Sequence, residues 1–125
     1  MQMLDTNMVL RSLLNDNKEM ADEAEKIIKD GSVLLTTEVV AEVVYVLKGV
    51  YSIDREQIAS CLLEFLSEVS ISEEQVVRLG LEIYAEQNLD FVDCILYAYN
   101  RIKGNKVRTF DTPYNTMSRT PYASQ

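Results

Sequence analysis

The chain contains no histidine at all and only two cysteines. Without an imidazole, every mechanism built on a histidine acid or base is closed to it. Cys61 and Cys94 lack Cys-x-x-Cys spacing, so they make neither a zinc site nor a disulfide framework. Both fall inside amphipathic helical patterns, where cysteine behaves as a small buried hydrophobe. Cations are scarce too, with 12 Lys and Arg against 20 Asp and Glu and a net charge of −8. That argues against a general nucleic-acid coat protein, whose affinity comes from neutralising phosphates. It does not exclude an enzyme that meets nucleic acid locally through metal ions. No apolar run approaches the roughly 18 residues of a membrane span, so no membrane association is expected. The opening Met-Gln-Met-Leu-Asp-Thr-Asn has neither the basic nor the apolar region of a signal peptide, which makes a cytoplasmic location the expectation. What remains is ordinary: 47% hydrophobic and 26% charged residues over 125 positions, the composition of one globular domain with a real core.

Against this background four short stretches stand out, each delivering a carboxylate. They are Met3-Leu4-Asp5-Thr6-Asn7, Val40-Ala41-Glu42-Val43-Val44, Leu89-Asp90-Phe91-Val92-Asp93 and Arg108-Thr109-Phe110-Asp111. Gathered carboxylates repel, so a cluster needs protons or a hard cation to exist. With no histidine to hand, the residues point to a Mg²⁺- or Mn²⁺-dependent hydrolase acting on phosphate.

Apolar periodicity places these stretches on elements. Residues 2–4 predict a short strand and 8–14 a short helix, broken by Asn15-Asp16-Asn17. The spacing of Met20, Ala24, Ile27 and Ile28 predicts a helix over 18–29, stopped by Asp30-Gly31. A strand over 33–36 leads into a valine-rich helix over 38–51, too long and too helically spaced for a strand. Asp54 caps the next helix, which buries Ile58, Cys61, Leu62 and Phe65. A strand over 69–71, a helix over 73–87 capped by Ser72, a helix over 90–103 ending at Gly104 and a strand over 106–110 complete the order. Short strands alternating with helices predict an α/β protein, a three-layer α/β/α sandwich with a short parallel sheet. Ligands of such sheets bind beyond the carboxyl ends of the strands, where Asp5 and Asp111 fall. Past Asp111 the text turns polar, with Pro113 and Pro121 and no periodicity. Residues 1–111 are therefore read as the folded domain and 112–125 as an irregular tail.

Each acid has a plainer role to set against the ligand role. Asp5 would serve as a helix N-cap, although Thr6 and Asn7 cap equally well and free it. On the valine-rich helix the apolar residues fill an arc from about 80° to 240° measured from Glu38, and Glu42 lies near 40°. Glu42 thus sits at the edge of the core face, where a partly desolvated ligand belongs, while Glu38 at the centre of the polar face is explained by the helix dipole. Asp90 stands where a cap must be, with Asp93 completing a box-like cap. Asp93 also edges a packed face beside Leu96, Tyr97 and Asn100, which favours Asp93 as ligand and Asp90 as cap or supporting group. Asp111 would otherwise form an Asx turn before Pro113. Arg101, Lys103, Lys106 and Arg108 cluster just before it, placed either to guide a phosphate backbone or to complement a helix C-terminus.

The ordered set of these segments resembles the PIN-domain ribonucleases, in particular the VapC-type toxins of toxin–antitoxin pairs. The likeness runs over about residues 3–111, through Leu-Asp-Thr-Asn, Ala-Glu-Val-Val-Tyr-Val-Leu, Leu-Asp-Phe-Val-Asp and Thr-Phe-Asp. It implies a parallel α/β/α sandwich and an endoribonuclease that cleaves phosphodiester bonds with metal-activated water. Carried onto this chain, the metal-holding and catalytic acids are Asp5, Glu42, Asp93 and Asp111, with Asn7 and Thr109 in support. It also implies Mg²⁺ or Mn²⁺, an RNA substrate, a cognate antitoxin that blocks the site, and a homodimer. Two other classes remain open: a catalytically silent PIN-like module that binds a protein, and a receiver-like signalling domain with an acidic pocket. A receiver would want a lysine ending its last strand, where this chain has Arg-Thr-Phe-Asp.

Overall fold

The structure is a computed structural model, and it describes residues 1–110. Asp111 and the expected tail over 112–125 lie outside the described residues. The elements run β1 (Gln2–Met3), α1 (Thr6–Leu14), α2 (Lys18–Lys29), β2 (Val33–Leu35), α3 (Thr37–Gly49), α4 (Arg55–Phe65), β3 (Ser70–Ile71), α5 (Glu74–Glu86) and α6 (Phe91–Lys103). β1 pairs parallel with β2, and β2 pairs parallel with β3. The chain is therefore an α/β protein with a short parallel sheet, as expected. No helix among the described residues is long and apolar enough to cross a membrane.

Helix starts follow the expected chemistry with three exceptions, α1, α5 and α6. Asn17, Thr36 and Asp54 each accept a hydrogen bond from the backbone N–H three residues on, at 3.0, 3.3 and 2.8 Å. Asp5, not Thr6 or Asn7, caps α1. Its Oδ1 accepts from the N–H of Met8 at 2.8 Å. The sheet decides this. The N–H of Leu4 still donates to the carbonyl of Leu34 at 3.0 Å, so the chain stays extended through Asp5 and turns helical only at Thr6. The second exception is α5. Ser72 does not cap it; Glu73 occupies the cap position at a left-handed φ of 55° and makes no side-chain cap bond. The N–H of Ser72 instead donates to the carbonyl of Leu35 at 3.1 Å, which keeps Ser72 on the sheet edge.

Residues 106–110 are not a strand, although β-prone residues fill them. Val107 is partly buried against the core, but Lys106, Arg108 and Phe110 are exposed and the segment pairs with no strand among the described residues. Propensity describes a fit to a half-buried pleated surface, and that surface is not supplied to this segment.

The core is continuous from Leu4 and Val9 through Val40, Val43, Val44 and Leu47 to Ile58, Leu62, Val77, Leu81, Ile83 and Tyr97. Gly80 sets how closely α5 and α6 approach. A Cβ built there would lie 2.7 Å from Ile95 Cδ1, a distance no real methyl tolerates. Cys94 is wholly buried and Cys61 half-buried, both as free thiols. Burial pushes the Cys94 thiol up to about 12, so it stays protonated.

Candidate active site

Parallel pairing sends the three strand ends to one edge of the sheet. Leu4-Asp5, Thr36-Thr37 and Ser72-Glu73 leave it there. The hydroxyl of Thr37 donates to the carbonyl of Ser72 at 3.4 Å, tying two of these exits together.

Asp5 and Glu42 are brought into one neighbourhood by Thr6. The Thr6 hydroxyl, next in sequence to Asp5, donates to Oε1 of Glu42 and so links the start of α1 to the middle of α3. Val40, Val43, Val44 and Leu47 are buried, and this leaves Glu42 at the edge of the core face as the helical phase requires. Glu42 is nevertheless exposed, as is Glu38. The expected partial desolvation of Glu42 is not found, although Thr6 of α1 bonds to it. What separates the two acids is what they face. Glu42 reaches α1, whereas the negative charge of Glu38 contributes to raising the Tyr99 hydroxyl on α6, after burial and Glu73.

Asp93 lies in the first turn of α6 and is half-buried. Asp90 takes the N-cap position with extended backbone, yet its side chain makes no cap hydrogen bond. The Asp90 half of the expected box-like cap is therefore not made, and Asp90 lines a groove. Asn7 is exposed on the first turn of α1 and Thr109 is half-buried in the segment after α6.

The cationic cluster divides. Lys103 Nζ sits 2.7 Å from both carboxylate oxygens of Glu73, and the Tyr99 hydroxyl donates to the same carboxylate at 3.4 Å. Lys103 is thereby held to the sheet edge, and its hydrogen bond keeps the Glu73 carboxyl below the usual carboxylate range. Arg101 is half-buried, with Nε buried and unbonded among the described residues. Lys106 and Arg108 are exposed.

Sequence reasoning missed Thr6, Glu73 and Arg55. Arg55 Nε donates to the carbonyl of Tyr84 at 2.9 Å, Nη2 donates to the carbonyl of Leu89, and the guanidinium lies 3.8 Å from the Tyr84 ring centroid. It thus ties the start of α4 to the loop that launches α6. A signal existed: a cation in a helix's first turn opposes the dipole, so something else must hold it there. For Glu73 no signal existed, since Ser72 is the better cap by residue type.

Carboxylate and hydroxyl oxygens are the donors that a hard divalent cation takes, so Asp5 and Glu42 fit one by chemistry. By geometry the described residues are incomplete. No group of three or more Asp, Glu or Cys that could hold a metal occurs among them, so Asp5, Glu42 and Asp93 do not close a site alone. Asp5 and Glu42 each give one oxygen to a local hydrogen bond, and the fourth acid, Asp111, is not among the described residues.

Comparison with known proteins gives one finding. No curated protein and no solved structure matches the chain. The family model described as the PIN domain matches residues 3–119, a span that contains all four acid-bearing segments. The PIN domain is generally a nuclease domain, and its nucleases usually use divalent metals. With the parallel sheet and a match over nearly its whole length, the chain belongs to the PIN-domain family.

Proposed function

We propose that this protein is a Mg²⁺- or Mn²⁺-dependent endoribonuclease and the toxin of a toxin–antitoxin pair, acting in the cytoplasm. The observation that carries the reading is the family match over 3–119, with Asp5, Glu42, Asp93 and Asp111 all present as acids. A degenerate domain would be free to lose them.

These four carboxylates are the residues that would hold the metal. A divalent cation, when bound, supplies activation of water and charge stabilisation for phosphodiester cleavage. The chain's own groups do the rest. Asp5 holds its place through the α1 cap, and Thr6 fixes the orientation of Glu42 by donating to it. Asp93 enters from α6, whose start Arg55 anchors through the carbonyl of Leu89. Carboxylates with a lone pair to spare accept hydrogen bonds from the attacking water and align it in line with the departing 3′ oxygen, leaving 5′-phosphate ends. Lys106 and Arg108, exposed beside the site's last segment, guide the phosphate backbone, with Arg101 behind them. Lys103 serves the scaffold, paired with Glu73. A cognate antitoxin that covers the acids and a homodimeric assembly complete the proposal.

A second reading is favoured by one observation: among the described residues the acids do not converge as a three-ligand group. On it the domain is catalytically silent and binds a protein. Incubating end-labelled RNA with the protein and Mg²⁺ or Mn²⁺ decides between them. Cleavage that EDTA stops and Asp93→Asn abolishes supports the nuclease; intact RNA under all conditions supports the silent module.

A further inference from the structure

A groove of about 460 Å³ runs between α3, the start of α4, the end of α5 and the start of α6. That volume lies in the range of small-ligand sites. Its walls include Ala41, Tyr45 and Lys48 from α3 and Asp90, Phe91 and Val92 from the start of α6. The floor is built in advance. Tyr84 is held under the Arg55 guanidinium, and Phe91 meets its ring edge-on at 5.9 Å and 83°.

The walls are unusual in what they expose. Tyr45 is 77% exposed and Val92 58% exposed, although both are large and apolar. Apolar groups left out together and rimmed by charge mark a binding surface. Lys48 supplies the cation of the rim and has no acidic partner among the described residues. Asp90 supplies the anion, because its carboxylate makes no cap bond. The groove is walled by the same two helices that carry Glu42 and Asp93, α3 and α6.

We propose that this groove is a base-binding subsite that takes a guanine of single-stranded RNA next to the cleaved phosphodiester. The proposal rests on the ribonuclease reading given above. An exposed aromatic ring offers a stacking face to any unstacked base. The carboxylate of Asp90 makes the site selective. Guanine presents two adjacent donors, N1–H and the N2 amino group, to a two-oxygen acceptor, whereas adenine presents a donor beside an acceptor. Lys48 meets the phosphate of the same nucleotide. A base is favoured over a protein segment because an exposed ring and a carboxylate without a cap bond stand on the same groove, one for a base's face and one for its edge.

The test is fluorescence anisotropy with labelled oligouridine octamers carrying one central guanosine, inosine or adenosine, in EDTA so that no cleavage intervenes. The expected order is guanosine about tenfold tighter than adenosine, with inosine between. Tyr45→Ala weakens all three about tenfold, in line with the loss of one stacked base, while Tyr45→Phe binds as wild type. Asp90→Asn erases the guanosine preference and leaves adenosine binding unchanged. Unaltered thermal melting of Tyr45→Ala shows that the fold is kept. Equal binding of all three octamers by the wild type, or wild-type binding by Tyr45→Ala, overturns the subsite. So does a Tyr45→Ala variant that changes molecular mass by light scattering with RNA affinity unchanged, which would assign the groove to protein contact. The two readings fail separately. Guanosine-selective binding without metal-dependent cleavage keeps the subsite and ends the nuclease reading. Cleavage with unchanged KM in Tyr45→Ala keeps the nuclease and ends the subsite.

Discussion

The hydroxyl of Thr6 donates to Oε1 of Glu42, joining the first residue of α1 to the second turn of α3 across 36 positions of sequence. One of the four proposed ligands is thereby oriented by the neighbour of another, Asp5. Glu42→Gln should abolish metal-dependent RNA cleavage, and Glu38→Gln should leave most of it, since the Thr6 hydroxyl beside Asp5 bonds to Glu42 and not to Glu38. Thr6→Val should lower cleavage about tenfold or more without unfolding the domain, as the loss of a positioning bond to a charged group is worth about 1.5–3 kcal/mol. Initial rates on one labelled RNA check all three. Equal losses in Glu38→Gln and Glu42→Gln would refute the choice between them.

Asp5 holds two roles that substitution separates. Asparagine caps a helix about as well as aspartate, so Asp5→Asn should keep the stability of α1 while losing cleavage. Asp5→Ala loses the bond to the Met8 N–H as well, and should cost about 1 kcal/mol in addition. Urea unfolding of the two variants beside wild type measures the difference. An Asp5→Asn protein that still cuts RNA removes Asp5 from the site.

Metal that binds the folded chain alone must stabilise it by mass action, by about 2.7 kcal/mol at a free concentration a hundredfold above Kd. Melting temperature should therefore rise with added Mg²⁺, and rise at lower concentrations of Mn²⁺, which binds more tightly in the general order and dehydrates more easily. Asp93→Asn should gain less from either ion. A wild-type melting temperature indifferent to both ions up to the millimolar range would refute a carboxylate metal site.

The Glu73–Lys103 pair makes a pH prediction. Lys103 holds the folded-state carboxyl of Glu73 below its ordinary value, so the folded protein releases this proton more readily than the unfolded chain. The contribution to stability is then complete above the unfolded carboxylate pKa of about 4.3 and is lost as pH falls through the lower folded value. Wild type should exceed Lys103→Met in stability at pH 7, and the gap should close below about pH 4. Denaturant midpoints measured from pH 7 down to pH 3 test it; a gap constant over that range would show that the pair does not act through the carboxylate's charge.

Much of this molecule was legible in one dimension. Helical periodicity located α2 over Lys18–Lys29 with both ends correct, because Asn17 caps it and Asp30-Gly31 stops it by local chemistry alone. The valine-rich run was recognisable as α3 because helical spacing outlasted any strand, and the same spacing put Glu42 rather than Glu38 at the core edge. Order along the chain, rather than any single motif, carried the family, since four acids at four positions of an alternating pattern are far more specific than one.

Tertiary structure decided what depends on neighbours distant in sequence. Whether Asp5, Thr6 or Asn7 caps α1 is a choice among equals locally; the hydrogen bond from Leu4 to Leu34 settles it by keeping the chain extended for one more residue. Lys103 reads as a free cation until Glu73, brought beside it by the left-handed turn after β3, claims its ammonium. Arg55 reads as a misplaced charge until the carbonyls of Tyr84 and Leu89 arrive over it from α5 and its loop. Caps, periods and turn residues act within a few positions and are written in the sequence. Hydrogen bonds between elements depend on where helices land against the sheet, and only packing fixes that.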